Sequence, residues 1–155
     1  MTLQVELVSP ERILYSGQAD MVIARTVGGG DIAFLTGHSP FVGALDIATV
    51  TIRSSGEGDK LVAVHGGFVE VSSSSGGGDS SGSGSGSGDS APETTVTILS
   101  DVAELASQID VERARQARDD AERHLQHDHD AEVEGAARRA HTRLLAAGGL
   151  GTAGH

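Results

Sequence analysis

Three arginines in the last third of the chain have the side chains and the spacing that suit a phosphate group. Arg139 and Arg143 are four residues apart, which places them on one face of a helix, and Arg113 lies on a preceding helical segment. If the two segments fold against each other, the guanidinium groups meet, and each can bind phosphate through parallel hydrogen bonds. The alternative is that these arginines pair with carboxylates or with solvent on an exposed face.

A histidine-rich turn has the residue types of a metal site. His124, His127 and His129 lie beside Asp128 and Asp130. A tight metal site needs three or four ligands that converge on one point, and polar residues on one turn do not converge by themselves. We therefore predict a polar turn without a metal. A metal-dependent enzyme that uses this turn is one alternative function.

The rest of the sequence predicts no catalytic centre. His38 and His65 are single histidines beside glycine turns, where a histidine more often makes a structural hydrogen bond than acts as a base. Residues 28–30 are glycines, but the lysine and the serine or threonine of a phosphate-binding loop do not follow them. The net charge of −11, without a basic cluster in residues 1–100, argues against nucleic acid as a partner.

Alternating apolar residues in residues 1–100 predict short β-strands. Leu3, Val5 and Leu7 alternate with polar residues, and the same alternation returns in later segments. Turns rich in Gly and Ser separate these segments, which favours an antiparallel β-sandwich. The later segments with a strand pattern are 32–35, 48–53, 61–65, 68–71 and 95–99.

The turn at residues 37–40 follows the predicted strand 32–35. Gly37 can take a positive φ at little cost, and Pro40 fixes its own φ near the extended or turn value. The residue types of this turn, at this spacing, do not assemble a nucleophile with a base, so the turn predicts a scaffold surface that another molecule binds.

A tract rich in Gly and Ser at residues 72–93 interrupts the sandwich pattern. It cannot bury apolar surface, so we predict a flexible coil. Extending a four-residue hairpin loop to this length costs only about 1.5 kcal/mol, because the closure cost grows with the logarithm of the length. The flanking strands are therefore expected to pair. A tether between independent domains is the alternative.

From residue 101 onward, apolar residues recur at spacings of three and four, which is typical of amphipathic helices. Asp110 is predicted to cap the first helix, and Gly148 with Gly149 to end the second. The helical hairpin is predicted over residues 101–147, followed by a disordered tail at 148–155. Its apolar faces are mostly alanine, so they bury little area and hold the hairpin weakly. These faces consist of Ala114, Ala117, Ala121 and Leu125, then Val133, Ala137, Ala140 and Leu144.

Four motifs occur in an order that resembles the epsilon subunits of bacterial F-type ATP synthases. The resemblance runs from Leu3 to about Leu145, apart from the Gly and Ser tract, which is an insertion relative to the family pattern. No single motif would suffice, but their order is specific. The motifs are Gly-His-Ser-Pro at 37–40, Gly-Gly-Phe-Val-Glu-Val at 66–71, Thr-Val-Thr-Ile-Leu at 95–99 and Ile-Asp-Val-Glu-Arg-Ala at 109–114.

The resemblance implies an N-terminal antiparallel β-sandwich (residues 1–100) followed by a C-terminal α-helical hairpin, without a catalytic residue. It implies a rotor subunit of the proton-translocating F-type ATP synthase, which couples c-ring rotation to the gamma subunit during ATP synthesis. The implied location is the cytoplasmic face of the cell membrane, as a peripheral part of the F1 sector that reaches the membrane only through the complex. The residues expected to dock on partners are Gly37, His38, Ser39, Pro40, Phe41 and Phe68.

The hairpin of family members folds against the sandwich in one state and extends along gamma in another, where it obstructs rotation in the hydrolysis direction. A weakly held hairpin suits such a switch, because a small free-energy gap separates the two states. In the extended state the resemblance implies contact with the beta subunit. The candidate residues for that contact are Arg113, Arg138, Arg139 and Arg143.

Some relatives bind ATP on the folded hairpin, which makes regulatory ATP the one cofactor that the resemblance implies. Asp120 stands where those relatives have an arginine, and its negative charge should weaken phosphate binding. Arg139 and Arg143 align with the pattern only if the turn between the helices is shortened by four residues. The pattern falls on Glu104, Ile109, Asp110, Arg113, Ala114, Arg139 and Arg143.

A function from another class is the runner-up. A stand-alone protein-binding module could have the same β-sandwich and use the helical arm to recruit an unrelated partner. Stoichiometric co-purification with gamma would distinguish a rotor subunit from such a module.

Overall fold

Strands precede helices along the chain, as the sequence predicts. A computed structural model describes residues 2–74, 93–126 and 131–148. No helix in these ranges is long and apolar enough to cross a membrane. The strands are β1 (Leu3–Val8), β2 (Ile13–Ala19), β3 (Met21–Thr26), β4 (Gly30–Leu35), β5 (Phe41–Arg53), β6 (Lys60–Ser74), β7 (Glu93–Leu99) and β8 (Ala103–Leu105). A 3-10 turn (Ala106–Gln108) leads to the helices α1 (Val111–Leu125) and α2 (Ala131–Ala146).

The described strands form one sheet with the order β2-β1-β7-β6-β5-β3-β4, and β8 pairs with β6. The pairs are antiparallel except for β1 with β7, which run parallel. A parallel pair needs a long connection between its strands, and β7 follows β1 only after five other strands. The predicted antiparallel architecture is therefore confirmed with one parallel pair inside it.

The sheet bends at two glycines in the middle of β6. Gly66 and Gly67 have φ values of +86° and +118°, which residues with a side chain rarely adopt. A Cβ on Gly67 would lie 2.0 Å from the carbonyl oxygen of Leu99, so β6 can approach the end of β7 only with glycine here. The bent sheet closes on itself where the Gly37 N–H donates to Thr94 Oγ1 at 2.8 Å, although β4 and β7 are not neighbours in the sheet.

Side chains from both ends of the strand order fill a single core. Leu3, Val5 and Leu7 of β1 are fully buried, as their alternation predicts, and Phe34 of β4 lies in the same cluster. Each apolar side chain of this size contributes about 1.5–3 kcal/mol when it is fully buried. The core is mainly aliphatic because the chain has only three Phe, one Tyr and no Trp.

The strands around the Gly and Ser tract extend further than predicted. β6 continues to Ser74 and β7 begins at Glu93, and these two residues pair with each other. Serine can extend the ladder because its hydrogen bonds use only backbone groups. The predicted pairing of the flanking strands is therefore confirmed. Residues 75–92, for which a coil was predicted, lie outside the described residues.

The two helices form a hairpin that contacts the sheet through α2. Asp110 caps α1, because its Oδ1 accepts the Arg113 backbone N–H at 3.1 Å. Gly148 follows α2 with a φ of +69°, so the predicted cap and the predicted end are both confirmed at these residues. α2 packs on α1 and lies against β5 and β6. Ala140 and Leu144 are fully buried there.

The segment predicted as hairpin begins with a short strand. β8 pairs with β6 before α1 starts, through Leu105 opposite Val62 and Ala103 opposite Val64. The domain boundary at residue 101 stays a prediction. Gly149 and the rest of the tail to residue 155 lie outside the described residues.

Candidate functional site

The predicted docking turn is ordered around His38. Its ring lies edge-on to the buried ring of Phe34, with centroids 5.1 Å apart. The His38 Nδ1 atom is 2.7 Å from the carbonyl oxygen of Ser39, and Gly37 takes the predicted positive φ of +85°. Gly37, Ser39 and Pro40 are exposed. The turn is therefore a fixed, accessible surface anchored to the core by its histidine.

An apolar stripe crosses three strands on the outer face of the sheet. Phe68 of β6 is 56% exposed and lies between its register partners, Ala44 of β5 and Leu99 of β7. Val42, two residues before Ala44 and thus on the same face, is 70% exposed. We call Val42, Ala44, Phe68 and Leu99 the apolar stripe. Clustered exposed apolar residues of this kind mark a surface for a partner.

Sequence reasoning identified part of this surface. Phe41 was predicted to dock on a partner, but its ring packs against the core, because neighbouring strand residues point to opposite faces. Val42 is the outward-facing residue, and it lies within the stretch 32–45 that is expected to shape the docking surface. Leu99 was not predicted, and its alternation with buried neighbours is the signal that could have identified it. Phe68 lies three register positions from Phe41, about 10 Å along the strands.

A second candidate site lies where α2 meets β6 and β8. Glu104 Oε2 accepts a hydrogen bond from Arg143 Nε at 2.5 Å and is 3.3 Å from His65 Nε2. Burial alone would raise the pKa of the Glu104 carboxyl, but Arg143 and then His65 outweigh burial and hold this pKa below its usual value. Burial lowers the pKa of the His65 imidazole, and the charge of Arg143 lowers it further. We call Glu104, Arg143 and His65 the ion cluster.

The structure brings some of the predicted ATP-binding residues together. Arg139 is half-buried one turn before Arg143, and its charge reaches His65, whose pKa it helps to lower. Within the described ranges Arg139 forms no ion pair. The carboxylate of Asp110 is already used to cap α1. The remaining positions lie at the start of α1 and are Ile109, half-buried, Arg113, exposed, and Ala114, buried.

The residues of the predicted polar turn are described only in part. Asp120 Oδ1 lies 3.6 Å from Arg123 Nη1 on the exposed surface. His124 Nδ1 lies 2.7 Å from the Asp120 carbonyl oxygen, so one ring nitrogen is already engaged. In the part of the chain that the structure describes, no group of His, Asp and Glu is arranged to hold a metal. The other members of the turn, which lie outside the described residues, are His127, Asp128, His129 and Asp130.

A second ion pair attaches α2 to the sheet at Asp46. Arg138 Nη2 donates to Asp46 Oδ1 at 2.6 Å. Beside this pair, a cavity of about 570 Å³ opens between the hairpin and β5, with Arg25, Arg118 and Arg138 among its lining residues. Each of these arginines has a carboxylate partner: Asp31 for Arg25, Asp119 for Arg118 and Asp46 for Arg138. The ion pair and the ion cluster together fix α2 on the sheet at two points.

Comparison with known proteins identifies the family. Residues 2–75 match the family model for the beta-sandwich domain of the ATP synthase delta/epsilon chain. The ATP synthase epsilon chain of Streptomyces coelicolor is 37% identical over 147 residues, which cover 95% of this chain and 96% of that protein. The chain belongs to the ATP synthase epsilon chain family. The epsilon chain of Brevibacillus brevis is 42% identical over 123 residues, which cover 79% of this chain and 77% of that protein.

Solved structures agree with the family assignment at the level of the fold. A chain in the cryo-EM structure of the Euglena gracilis mitochondrial ATP synthase (OSCP/F1/c-ring) superposes with a TM-score of 0.61 at 19% identity, covering 99% of this chain and 82% of that one. A chain in the central stalk/c-ring structure of the Tetrahymena thermophila mitochondrial ATP synthase gives a TM-score of 0.50 at 16% identity, covering 95% and 97%.

The family assignment establishes the general role of the chain. Members of the family are a non-catalytic subunit of ATP synthase, so the predicted family and the predicted role without catalysis are confirmed. The partners of the chain are therefore other ATP synthase subunits. The assignment decides against both a stand-alone binding module and a metal-dependent enzyme.

Proposed function

We propose that the chain is a rotor subunit of the central stalk, whose sandwich docks on the gamma subunit and the c-ring through the apolar stripe and the turn at 37–40. The exposed apolar stripe carries this proposal, because a soluble domain gains free energy by covering such a surface with a partner. The two similar structures are of an OSCP/F1/c-ring assembly and of a central stalk/c-ring assembly. The proposed location is the cytoplasmic face of the membrane, in the F1 sector.

Binding to purified gamma subunit tests the role of the stripe. We expect Phe68→Ser to weaken binding about thirtyfold, because removing a central aromatic side chain from an interface costs about 2 kcal/mol. Glu57→Ser is the control, since Glu57 is exposed in the turn between β5 and β6, at the other end of β5 from Val42. Normal binding of Phe68→Ser, or an equal loss in both variants, would exclude the stripe as the docking surface.

The hairpin is the proposed regulatory part of the subunit. Arg138 and Arg143 hold α2 on the sheet by pairing with Asp46 and Glu104. When α2 leaves the sheet, both guanidinium groups become available to acidic surfaces of the beta subunit, with Arg113 and Arg139 beside them. We infer that the extended hairpin obstructs hydrolysis through these contacts. The ion pairs that stabilise the folded state would thus be exchanged for contacts in the inhibitory state.

Regulatory ATP is the proposed ligand of the folded hairpin. Arg143 pairs with Glu104, and Arg139 lies one turn before Arg143 without an ion pair in the described residues, in a chain whose net charge is −11. An excess of positive charge at one point of an acidic protein favours an anion there. The phosphates are expected on Arg113, Arg139 and Arg143, because Asp110 caps α1 and Asp120 is paired with Arg123.

A further inference from the structure

His65 lies under α2, and one of its two ring nitrogens has no hydrogen-bond partner within the described residues. Its side chain is only 2% exposed. The preceding residue, Val64, belongs to the core, so the His65 ring points to the opposite face of β6, toward the hairpin. Nε2 lies 3.3 Å from Glu104, whereas Nδ1 is buried and has no hydrogen-bond partner within the described residues. A neutral ring with its proton on Nε2 fits this environment.

A second proton on His65 would be poorly accommodated in the docked state. It would place an N–H on the buried Nδ1 atom, where no acceptor lies within the described residues. It would also add a positive charge near Arg143 and Arg139, of which only Arg143 is paired with Glu104 in the described residues. The charged groups around His65 are Glu104 on β8, Arg139 and Arg143 on α2, Asp46 on β5, which is paired with Arg138, and Asp101 in the loop before β8.

Removal of α2 reverses these conditions. Both arginines leave with the helix, and the ring of His65 becomes accessible to water, where an imidazole has a pKa of about 6.5. Because the pKa of His65 is lower in the docked state, the undocked state binds the proton more readily. Docking is therefore fully favourable above about pH 6.5 and weakens as the pH falls below that value. Glu104 keeps its charge across this range, since its own pKa is lowered.

We propose that His65 is a proton-operated latch, which holds α2 against β6 and β8 when it is neutral and releases the hairpin when it is protonated. The latch rests on the proposed function, in which the hairpin moves. Acidification then favours the extended hairpin, the state proposed to obstruct hydrolysis. The observation behind the proposal is the buried imidazole of His65, which lies between the sheet and the α2 residues Arg139 and Arg143. One of its ring nitrogens, Nδ1, has no hydrogen-bond partner within the described residues.

Fluorescence energy transfer within the full chain measures the docking equilibrium. The chain has no cysteine, so Ser73→Cys on β6 and Gln116→Cys on α1 supply two unique label sites. We expect the docking constant to fall by up to about tenfold between about pH 7.5 and about pH 5.5, as one linked proton requires. His65→Gln should remove this dependence. His141→Gln should retain the pH dependence, because His141 is an exposed histidine on α2.

The outcomes separate a failed latch from a hairpin that does not move. The double variant Glu104→Gln with Arg138→Gln lacks both ion pairs of α2 and should undock at every pH. If it stays docked, the moving hairpin and the latch are both wrong. The double variant undocks in the remaining cases. If the docking constant of the unmodified chain then does not change with pH, or that of His65→Gln still does, only the latch is wrong.

The pKa of His65 can also be measured without any variant. Titration of the imidazole proton resonances by NMR in the full chain should give a value below about 6.5 while the hairpin is docked. A value at or above that of a free imidazole would overturn the latch. This measurement keeps the proposal testable even if His65→Gln folds poorly.

Discussion

Arg139 and Arg143 on α2 differ in how much of their charge is free for a ligand. Arg143 donates to Glu104 at 2.5 Å, whereas Arg139 has no ion pair in the described part of the chain. A phosphate can therefore bind Arg139 without breaking an existing contact. Arg143 would have to share its guanidinium between the phosphate and Glu104. Arg139 is accordingly the residue whose loss should affect ATP binding most directly.

Calorimetric titration of the full chain with Mg-free ATP tests this assignment. We expect Arg139→Ala to weaken binding about tenfold, because a hydrogen bond between charged groups contributes about 1.5–3 kcal/mol. Asp120→Arg should strengthen binding, since it replaces a negative charge with a phosphate ligand. Arg25→Ala is the control, because Arg25 lies on β3 and pairs with Asp31. Absence of heat at millimolar ATP would exclude the site.

At the scale of elements, the hairpin lies on the sheet mainly through α2. α1 packs on α2, and the helix faces that meet are rich in alanine, such as Ala114, Ala121 and Ala140. Alanine buries little apolar area, so the attachment depends largely on the buried side chain of Leu144 and on the two ion pairs of α2. β8 is different, because it is hydrogen-bonded to β6 and completes the sheet. The part that is proposed to move therefore starts at α1 and does not include β8.

Truncation at the start of α1 tests the regulatory role of the hairpin. An assembled enzyme whose subunit ends at residue 109 should keep its stoichiometry and hydrolyse ATP faster, because β8 stays in place while the obstructing helices are gone. A subunit that ends at residue 148 keeps both helices and is the control, with unchanged hydrolysis. Equal hydrolysis rates for the enzymes with the two truncated subunits would remove the inhibitory role.

At the scale of the whole molecule, the sequence predicted what local patterns encode. The alternation of Leu3, Val5 and Leu7 predicted the buried face of β1, and Asp110 predicted the start of α1. The order of the four motifs predicted the family. These features could be predicted because each depends on residues close together in the sequence.

The remaining features depend on which strands and helices meet. Alternation indicates a strand but not its neighbour, so the parallel pairing of β1 with β7 could not be predicted. β8 has only three residues and owes its strand conformation to β6. The burial of His65 under α2 follows from tertiary packing. Both candidate sites were therefore predicted only in part.

The central claim is that the apolar stripe docks on the central stalk. Chemical cross-linking in the assembled enzyme tests this claim most directly. Because the chain has no cysteine, a short photoreactive reagent on Val42→Cys reports the neighbours of the stripe alone. The same reagent on Glu57→Cys reports an exposed position in the turn between β5 and β6, at the other end of β5 from Val42. We expect products with gamma or the c-ring from position 42 and none from position 57. Absence of both products from position 42 would contradict the proposed docking.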